Sequence, residues 1–492
     1  MTAAKTVKSS PRCDHNHISP DSKMNISKTN TSNEKRKLYI KTYGCQMNVY
    51  DSNRMTDILS PLGFETTDDL SDADLAIFNT CHIREKASEK LYSDLGRAKP
   101  HKVEKIKNGQ DMLIAVAGCT AQAEGAEVMR RASYVDMVFG PQSYQDLPEM
   151  VARALRAKEK RENPMLRGAG VLNVDFPEEP KFDALPEMTN VEGASAFLSI
   201  QEGCDKFCHF CVVPYTRGAE YSRPVKDVLQ DAKRLLDLGV KEVTLLGQNV
   251  NAYHGEALTS SSQEWTLGRL IHEIAELDGF DIIRYVTSHP KDVTQDLIDA
   301  HRDVKALAPY LHLPVQSGSD YVLKAMNRKH TRDVYFDLID QFRNARPDIA
   351  FSSDFIVGFP GEKDDDHKGT MDLVRQVQYA QAYSFKYSKR PGTPAAASEF
   401  QVDEAVKTER LAELQALLNE QQYAFNQKCV GQTMNILFER KAKHEGQLSG
   451  RSPYMQSVYV QANDRLINQV VPVKIIGCGA NSLTGQVVIA DN

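Results

Sequence analysis

The chain reads as an α/β protein in three folded parts: an N-terminal parallel α/β domain, a central partial (β/α)6 barrel and a small C-terminal β-barrel. Three observations predict this. Apolar strand-like runs alternate with helical periodicity through the middle of the chain, which is the pattern of a parallel sheet. In the N-terminal third, three apolar runs each end on a single cysteine. After residue 430, short β-rich runs follow one another between turn residues. A length of 492 residues suits roughly three domains at about 150 residues each.

The first 36 residues are rich in Ser, Thr, Asn and Lys. They lack both the apolar core of a secretory signal and the Arg-rich amphipathic pattern of an organelle address, so a disordered tail is expected. The N-terminal domain is placed at 37–153. Its runs are KLYIKTYGC, ending at Cys45, ADLAIFNTC, ending at Cys81, and MLIAVAGC, ending at Cys119. After the last two the chain turns toward helical sequence.

The central domain is placed at 190–425. Strand-like runs occur at 196–201, 242–247, 282–287, 308–315, 350–358 and 382–387. Between the first two, Val225, Val228, Leu229, Ala232, Leu235 and Leu236 recur at helix spacing. Six β/α units fall short of the eight that close a full barrel, so an open, partial barrel is expected. The segment from 402 to 427 is a helix by period. The last part, 428–491, holds the runs TMNILFER, YMQSVYVQA, VVPVKIIGCG and LTGQVVIA, which suggest a small barrel.

Composition narrows the function. A hydrophobic share of 41% with 26% charged residues is that of a soluble globular protein. No run of about 18 apolar residues occurs, so no membrane span is expected. The formal charge of -6 gives no whole-chain case for nucleic acid, and any RNA contact must come from local patches. One such patch is 428–492, with seven Lys and Arg against four Asp and Glu. A basic small barrel can hold RNA, although a plain structural cap would look similar. The nine cysteines lie in a long chain without an export signal, where metal binding or catalysis is more usual than disulfides. A cytoplasmic monomer is the expectation.

The densest chemistry lies in EGCDKFCHFCVVPYTRG (202–218), where Cys204, Cys208 and Cys211 are spaced C-x3-C-x2-C. A structural zinc ion wants four closed ligands, and His209 could complete a Cys3His set. Adjacent Cys208 and His209 make an awkward pair for one ion, and no second CxxC follows. A [4Fe–4S] cluster normally takes four thiolates, so three leave one iron open to a substrate or cofactor. Polar groups fall at the carboxyl ends of the predicted strands, where ligands of such sheets sit. They include Gln248 and Asn249, Ser288, Gln316, and Gly358 with Pro360. Each taken singly could be a turn or a hydrogen-bonded structural residue.

Cys45, Cys81 and Cys119 share one placement, the end of a strand. Any one of them could be an inert buried thiol. Parallel neighbouring strands put their carboxyl ends on one edge, about 4.8 Å apart, so three thiolates there can converge and hold a second cluster. Cys429 and Cys478 have no ligand partners in sequence and read as structural; Cys13, in the tail, reads as a bystander.

The triplet, with Phe210 just before its last cysteine, resembles the signature of radical S-adenosylmethionine (SAM) enzymes. That resemblance implies a partial (β/α)6 radical SAM barrel whose rim holds SAM. It also implies SAM chelated to the open iron, and electron transfer that yields a 5′-deoxyadenosyl radical. TYGCQMNVYDS (42–52), FNTCHIREKA (78–87) and AGCTAQ (117–122) resemble the N-terminal domain of methylthiotransferases. FGPQSYQDLPEM, LPVQSGSDYVLKAMNRKHT, SSDFIVGFPGE and RPGTPAA extend the resemblance over nearly all of 37–490. Gln46-Met47-Asn48 and IREKA are most similar to the branch acting on isopentenyladenosine in tRNA.

The resemblance implies two [4Fe–4S] clusters. One is held by Cys204, Cys208 and Cys211; an auxiliary one is held by Cys45, Cys81 and Cys119. It further implies a C-terminal TRAM domain, a tRNA substrate carrying isopentenyladenosine beside the anticodon, two SAM per turnover, an external electron donor and a sulfur source. No catalytic residue beyond the cluster ligands is implied. His82 and His209 are less usual neighbours of cluster cysteines; they could tune cluster potential through contacts around the ligands, but exposed bystanders are the expectation. Two rivals stand beside this expectation: a sibling enzyme acting on threonylcarbamoyladenosine or a ribosomal protein, and a non-catalytic iron–sulfur RNA-binding protein.

Overall fold

The computed structural model describes residues 35–82, 85–159, 168–177, 181–188, 191, 193–258 and 264–488. The described residues from Arg36 onward form one compact unit. Residues 1–34 of the expected tail, with Cys13, lie outside the described residues, as do Ile83 and Arg84 of IREKA. Arg36, assigned to the tail, instead opens the first strand.

The N-terminal sheet has six parallel strands in the order β2-β1-β3-β4-β5-β6. They are β1 (Arg36–Thr42), β2 (Phe64–Thr66), β3 (Leu75–Asn79), β4 (Leu113–Ala117), β5 (Met137–Phe139) and β6 (Val171–Asn173). Helices α1 (Gln46–Leu59), α2 (Glu85–Lys107), α3 (Cys119–Glu124), α4 (Ala126–Arg131) and α5 (Leu147–Glu159) cover both faces. The two-residue period of a strand divides the core. Leu75, Ile77, Leu113 and Ala115 pack under α1 and α5. Ala76, Phe78, Ile114 and Val116 pack under α2 and α4. Burial on both faces makes β3 and β4 continuous apolar runs.

Six parallel strands build the central partial barrel: β7 (Ser195–Ser199), β10 (Glu242–Leu246), β13 (Ile282–Tyr285), β14 (Tyr310–His312), β15 (Ala350–Val357) and β16 (Gln381–Lys386). Their spatial order follows the chain. The first three and last three strands meet through one parallel bridge between Ile283 and Leu307. Two short antiparallel pairs decorate the barrel, β8 (Gln201–Glu202) with β9 (Tyr221–Ser222) and β11 (His254–Gly255) with β12 (Trp265–Thr266). Its helices are α6 (Val213–Thr216), α7 (Val225–Asp237), α8 (Leu267–Glu276), α9 (Gln295–Asp303), α10 (Asp320–Ala325), α11 (Arg332–Ala345) and α12 (Asp364–Val377). Met47 and Tyr50 of α1 belong to the barrel's core, so α1 packs on the N-terminal sheet and on the barrel at once.

Helix α13 (Glu404–Cys429) lies along β16 and leads into a closed barrel, β17-β18-β19-β21-β20. Its strands are β17 (Thr433–Lys441), β18 (Gln447–Arg451), β19 (Ser457–Gln461), β20 (Val470–Cys478) and β21 (Ser482–Val487). Cys429 is buried in this barrel's core and Cys478 packs against it.

Candidate metal centres

The N-terminal cysteines follow three adjacent strands. Cys45 stands three residues beyond β1 and caps α1, Cys81 two beyond β3, and Cys119 opens α3 two beyond β4. The β1–α1 turn closes directly on the second cysteine: a Cβ added to Gly44 would lie 2.2 Å from the Cβ of Cys81. Cys81 lies within hydrogen-bond reach of Cys45 and draws the Cys45 thiol down to about 6, with Arg217 pulling in the same sense. Burial pushes the Cys119 thiol up, and Arg217, also hydrogen-bonded to it, pulls it back. The three thiols therefore converge on one sheet edge and share one cation.

Buried polar groups hold this edge. The Cys45 Sγ donates to Asn48 Oδ1 at 3.3 Å, and Asn48 Nδ2 donates to Asn79 Oδ1 at 3.3 Å. Asn79 returns a bond to the Asn48 carbonyl at 2.8 Å. Arg217 reaches in from the barrel, donating to Asp51 Oδ2 and Glu202 Oε1 at 2.6 Å each. Lys181 donates to Glu202 at 2.7 Å and sits 3.8 Å from Asp51. Burial works against the Arg217 charge, but Asp51, Cys119, Glu202 and Cys45 outweigh it and hold the guanidinium well above its ordinary value. None of these four charged residues stands out in the sequence. The helix that carries Asp51 buries Asn48, Asp51, Ser52, Arg54 and Asp57, so polar residues occupy positions that helical periodicity assigns to solvent.

The second set lies on the loop between β8 and α6. Cys208 is buried, and Cys204 and Cys211 are half-buried. Burial, with neighbouring triplet thiols acting in the same sense, pushes the Cys204 thiol up to about 11 and the Cys211 thiol up to about 12. Such thiols ionise when they bind metal, because a coordinating thiol is deprotonated outright. Arg328 Nη1 donates to Cys208 Sγ at 3.7 Å. His209 is half-buried rather than exposed: its Nδ1 lies 2.8 Å from the Ala325 carbonyl and its N–H donates to Met326. Phe210 packs with Val322, Met326, Phe359, Tyr387 and Ala395. His82 is half-buried too, and its Nδ1 is buried with no hydrogen-bond partner.

Among the described residues no group of three or more His, Cys, Asp or Glu side chains is arranged to hold a metal ion. A four-iron cluster spreads its thiolates over separate irons, and its fit rests on the convergence of each thiol set.

The rim residues of the barrel separate into two groups. Gln248 Oε1 accepts from the Gly203 N–H at 2.6 Å, and Gln201 Oε1 accepts from the N–H groups of Gln248 and Asn249, at 2.8 and 3.2 Å. This bracket fixes the start of the cysteine loop. The Gly358 N–H donates to Glu362 Oε1, which pairs with Arg410, and Pro360 is buried in the same turn. Gln316, at a φ of 77°, forms a parallel bridge with Phe355.

Asn249 and Ser288 differ. Asn249 Oδ1 and Ser288 Oγ are buried without hydrogen-bond partners, as are His289 Nε2, both ring nitrogens of His330, and Arg328 Nε. The His289 and His330 rings meet edge to face at 5.6 Å. His289 Nδ1 accepts from the Lys291 N–H, so the neutral ring carries its proton on Nε2, an unpaired donor. Buried polar groups left unpaired in a native fold call for a ligand or water. This mixture of donors and acceptors, one side chain away from Cys208, fits a cofactor with amino, carboxylate, hydroxyl and purine groups, as SAM has. A cleft of about 480 Å³, lined by Asp205, Lys206, Asn251 and Asp292 among others, opens beside the same loop.

Comparison with known proteins supplies the family. Residues 37–140 match an uncharacterized protein family, UPF0004; residues 198–374 match the radical SAM superfamily; residues 427–488 match the TRAM domain. A curated relative from Maricaulis maris is 55% identical over 92% of this chain and 98% of its own length. One from Rickettsia felis is 54% identical over 92% of this chain and 100% of its own. Both are named tRNA-2-methylthio-N(6)-dimethylallyladenosine synthase. Among solved structures, the radical SAM methyltransferase TsrM from Kitasatospora setae matches with a TM-score of 0.52 at 14% identity, over 74% of this chain and 75% of that one. That likeness shows a shared fold.

Proposed function

The chain belongs to the tRNA-2-methylthio-N(6)-dimethylallyladenosine synthase family of radical SAM methylthiotransferases, and from that membership we propose how its own residues divide the work. The protein is a methylthiotransferase that converts isopentenyladenosine in tRNA to its 2-methylthio derivative. We place the base at position 37, beside the anticodon, and expect two SAM per turnover, an external electron donor, a sulfur source and a cytoplasmic setting. The observation that carries the assignment of roles is the convergence of two three-cysteine sets within one compact unit, joined through Arg217.

Cys204, Cys208 and Cys211 would hold the radical-forming cluster, and Cys45, Cys81 and Cys119 the auxiliary one. When bound, the first group with SAM supplies one-electron cleavage of the sulfonium, and the second supplies sulfur. The reaction replaces an adenine C2–H, a bond that acid–base chemistry does not readily open, and the reactive chemistry belongs to the cofactors. The protein contributes positioning. Arg328 donates to the Cys208 thiol, and Gln201 and Gln248 fix the loop that begins at Gly203. Asn249, Ser288, His289 and His330 offer unpaired polar atoms to SAM. Burial holds His289 down at about 2 and His330 at about 3, so both rings stay neutral, each with one donor and one acceptor nitrogen.

The test is nucleoside mass spectrometry on tRNA from a strain lacking this enzyme, with and without the chain restored. Restoration should bring back 2-methylthio-isopentenyladenosine. A product on threonylcarbamoyladenosine or on a ribosomal protein would instead support a sibling activity. Two variants assign the clusters. Replacing Cys45, Cys81 and Cys119 by Ala should leave 5′-deoxyadenosine formation and abolish the methylthio product. Replacing Cys204, Cys208 and Cys211 should abolish both. A folded N-terminal variant that still makes full product would return its cysteines to an inert structural role.

A further inference from the structure

Four buried charged side chains lie between the two cysteine sets. Arg217 and Lys181 supply two positive charges, Asp51 and Glu202 two negative ones, and each is no more than about 3% exposed. Isolated buried charges are costly and persist only when paired. The quartet satisfies that condition by itself, with ion pairs of 2.6 Å from Arg217 to each carboxylate and 2.6 Å from Lys181 to Glu202. Its balance is therefore complete before any thiolate is added.

Arg217 does more than close the quartet. Its Nη2 lies 3.5 Å from Asn48 Oδ1, the same atom that accepts from the Cys45 Sγ at 3.3 Å. It is also hydrogen-bonded to the Cys119 thiol. The helix ending just before it, α6, packs against α3, which begins at Cys119. The radical loop itself therefore ends in a cation pointed at the auxiliary thiols: Cys211 and Arg217 are six residues apart in one short segment.

We propose that Arg217 is a positioning residue that sets the reduction potential of the auxiliary iron–sulfur site, with Glu202 and Asp51 limiting how much of its charge that site feels. The proposal rests on the assignment of Cys45, Cys81 and Cys119 as cluster ligands. Cluster potentials respond to net charge and to hydrogen bonds at sulfur. A guanidinium at the thiolates stabilises the reduced, more negative state and raises the potential. A neutral side chain in its place lowers it. Removing a neighbouring carboxylate charge leaves the guanidinium less neutralised and raises the potential further.

The experiment uses the full chain with Cys204, Cys208 and Cys211 replaced by Ala, so that one cluster remains. After anaerobic reconstitution it should hold about four irons. An iron-free chain would sink the ligand assignment itself, a result separate from the proposal about Arg217. With iron present, the midpoint potential is followed by optical and EPR redox titration. Arg217→Gln should shift it negative, Arg217→Lys should restore part of the shift, and Glu202→Gln should shift it positive. A purely structural role for Arg217 predicts lost iron in both Arg217 variants. Unchanged potentials in loaded Arg217→Gln and Glu202→Gln would overturn the proposal. If Arg217→Gln fails to load, Arg217→Lys decides: a loaded Lys variant with the parent's potential overturns the proposal, and failure of both variants to load makes the role structural and overturns it too.

Discussion

His289 and His330 test the proposed SAM rim at the scale of single side chains. Burial, the Arg328 charge and, for His289, the neighbouring His330 hold the two rings at about 2 and about 3, against 6.5 for an ordinary histidine. A folded-state value below the unfolded one means that the unfolded chain takes up the proton first. Stability is then full above pH 6.5 and falls as pH drops toward the folded-state values. Each ring should contribute a slope of about 1.4 kcal/mol per pH unit in that window, so about 2 kcal/mol between pH 6.5 and 5. Urea denaturation of the cluster-free chain at a series of pH values measures this. The His289→Asn, His330→Asn double variant should show a shallower acid slope than the parent. An unchanged slope would mean that the rings are hydrated in solution. In the loaded enzyme the same double variant should weaken SAM binding while leaving the iron content near that of the parent, because neither ring touches a cysteine thiol.

Each cysteine set has a loop that turns on a glycine at positive φ. Gly44 has a φ of 108°, and an added Cβ would strike the Cβ of Cys81 at 2.2 Å. Gly203 has a φ of 77°, and its Cβ would lie 1.8 Å from the Ala219 carbonyl oxygen. Both clashes are with groups that cannot swing aside. Gly44→Ala should therefore lose the auxiliary iron and the methylthio product while still cleaving SAM. Gly203→Ala should lose SAM cleavage. In each case iron per chain should fall from about eight to about four. Iron analysis with a 5′-deoxyadenosine assay distinguishes the two. The strands leading to Cys81 and Cys119 are legible in the sequence because strands buried on both faces are continuously apolar, as in Leu75–Asn79 and Leu113–Ala117. Helix α1 is not, since its buried face carries Asn48, Asp51, Arg54 and Asp57 to serve the charge network. Strand β18 is hidden as well: Gln447–Arg451 has no β-branched or aromatic residue and is held by its neighbours on both sides. The cysteines announce themselves by spacing and placement. Arg217, Glu202 and Lys181 cannot, because what marks them is burial and long-range pairing, and neither is written locally.

Across the whole molecule, the cysteine loops and the small C-terminal barrel occupy opposite ends of the central strands. Ala194 precedes β7, Ile282 opens β13 and Ala308 precedes β14, and all three pack with Leu437 of the small barrel. Arg284 of β13 pins this junction, donating to the carbonyls of Pro453 and Ser452 at 2.8 and 3.0 Å while pairing with Glu242 at 3.1 Å. The cysteines lie past the carboxyl ends, about 15 Å away along strands of this length. If the small barrel holds tRNA, as its basic balance suggests, its contacts would fall remote from the cysteine loops. Its β17–β18 turn lies beside residues 464–466, where Lys441 pairs with Asp464 at 2.5 Å, and the exposed Lys443 and Arg465 flank that pair. Replacing Lys443 and Arg465 by Ala should weaken tRNA binding and make it less salt-dependent. The slope of log affinity against log salt should flatten by about 0.7 to 0.9 for each phosphate that is no longer neutralised. SAM cleavage without tRNA should be unaffected, because neither side chain approaches the cysteine loops. Filter binding over a range of salt, beside a 5′-deoxyadenosine assay, separates these effects. An unchanged salt slope would make the small barrel a structural cap, and a parallel loss of SAM cleavage would show that it acts on the cluster end of the molecule after all.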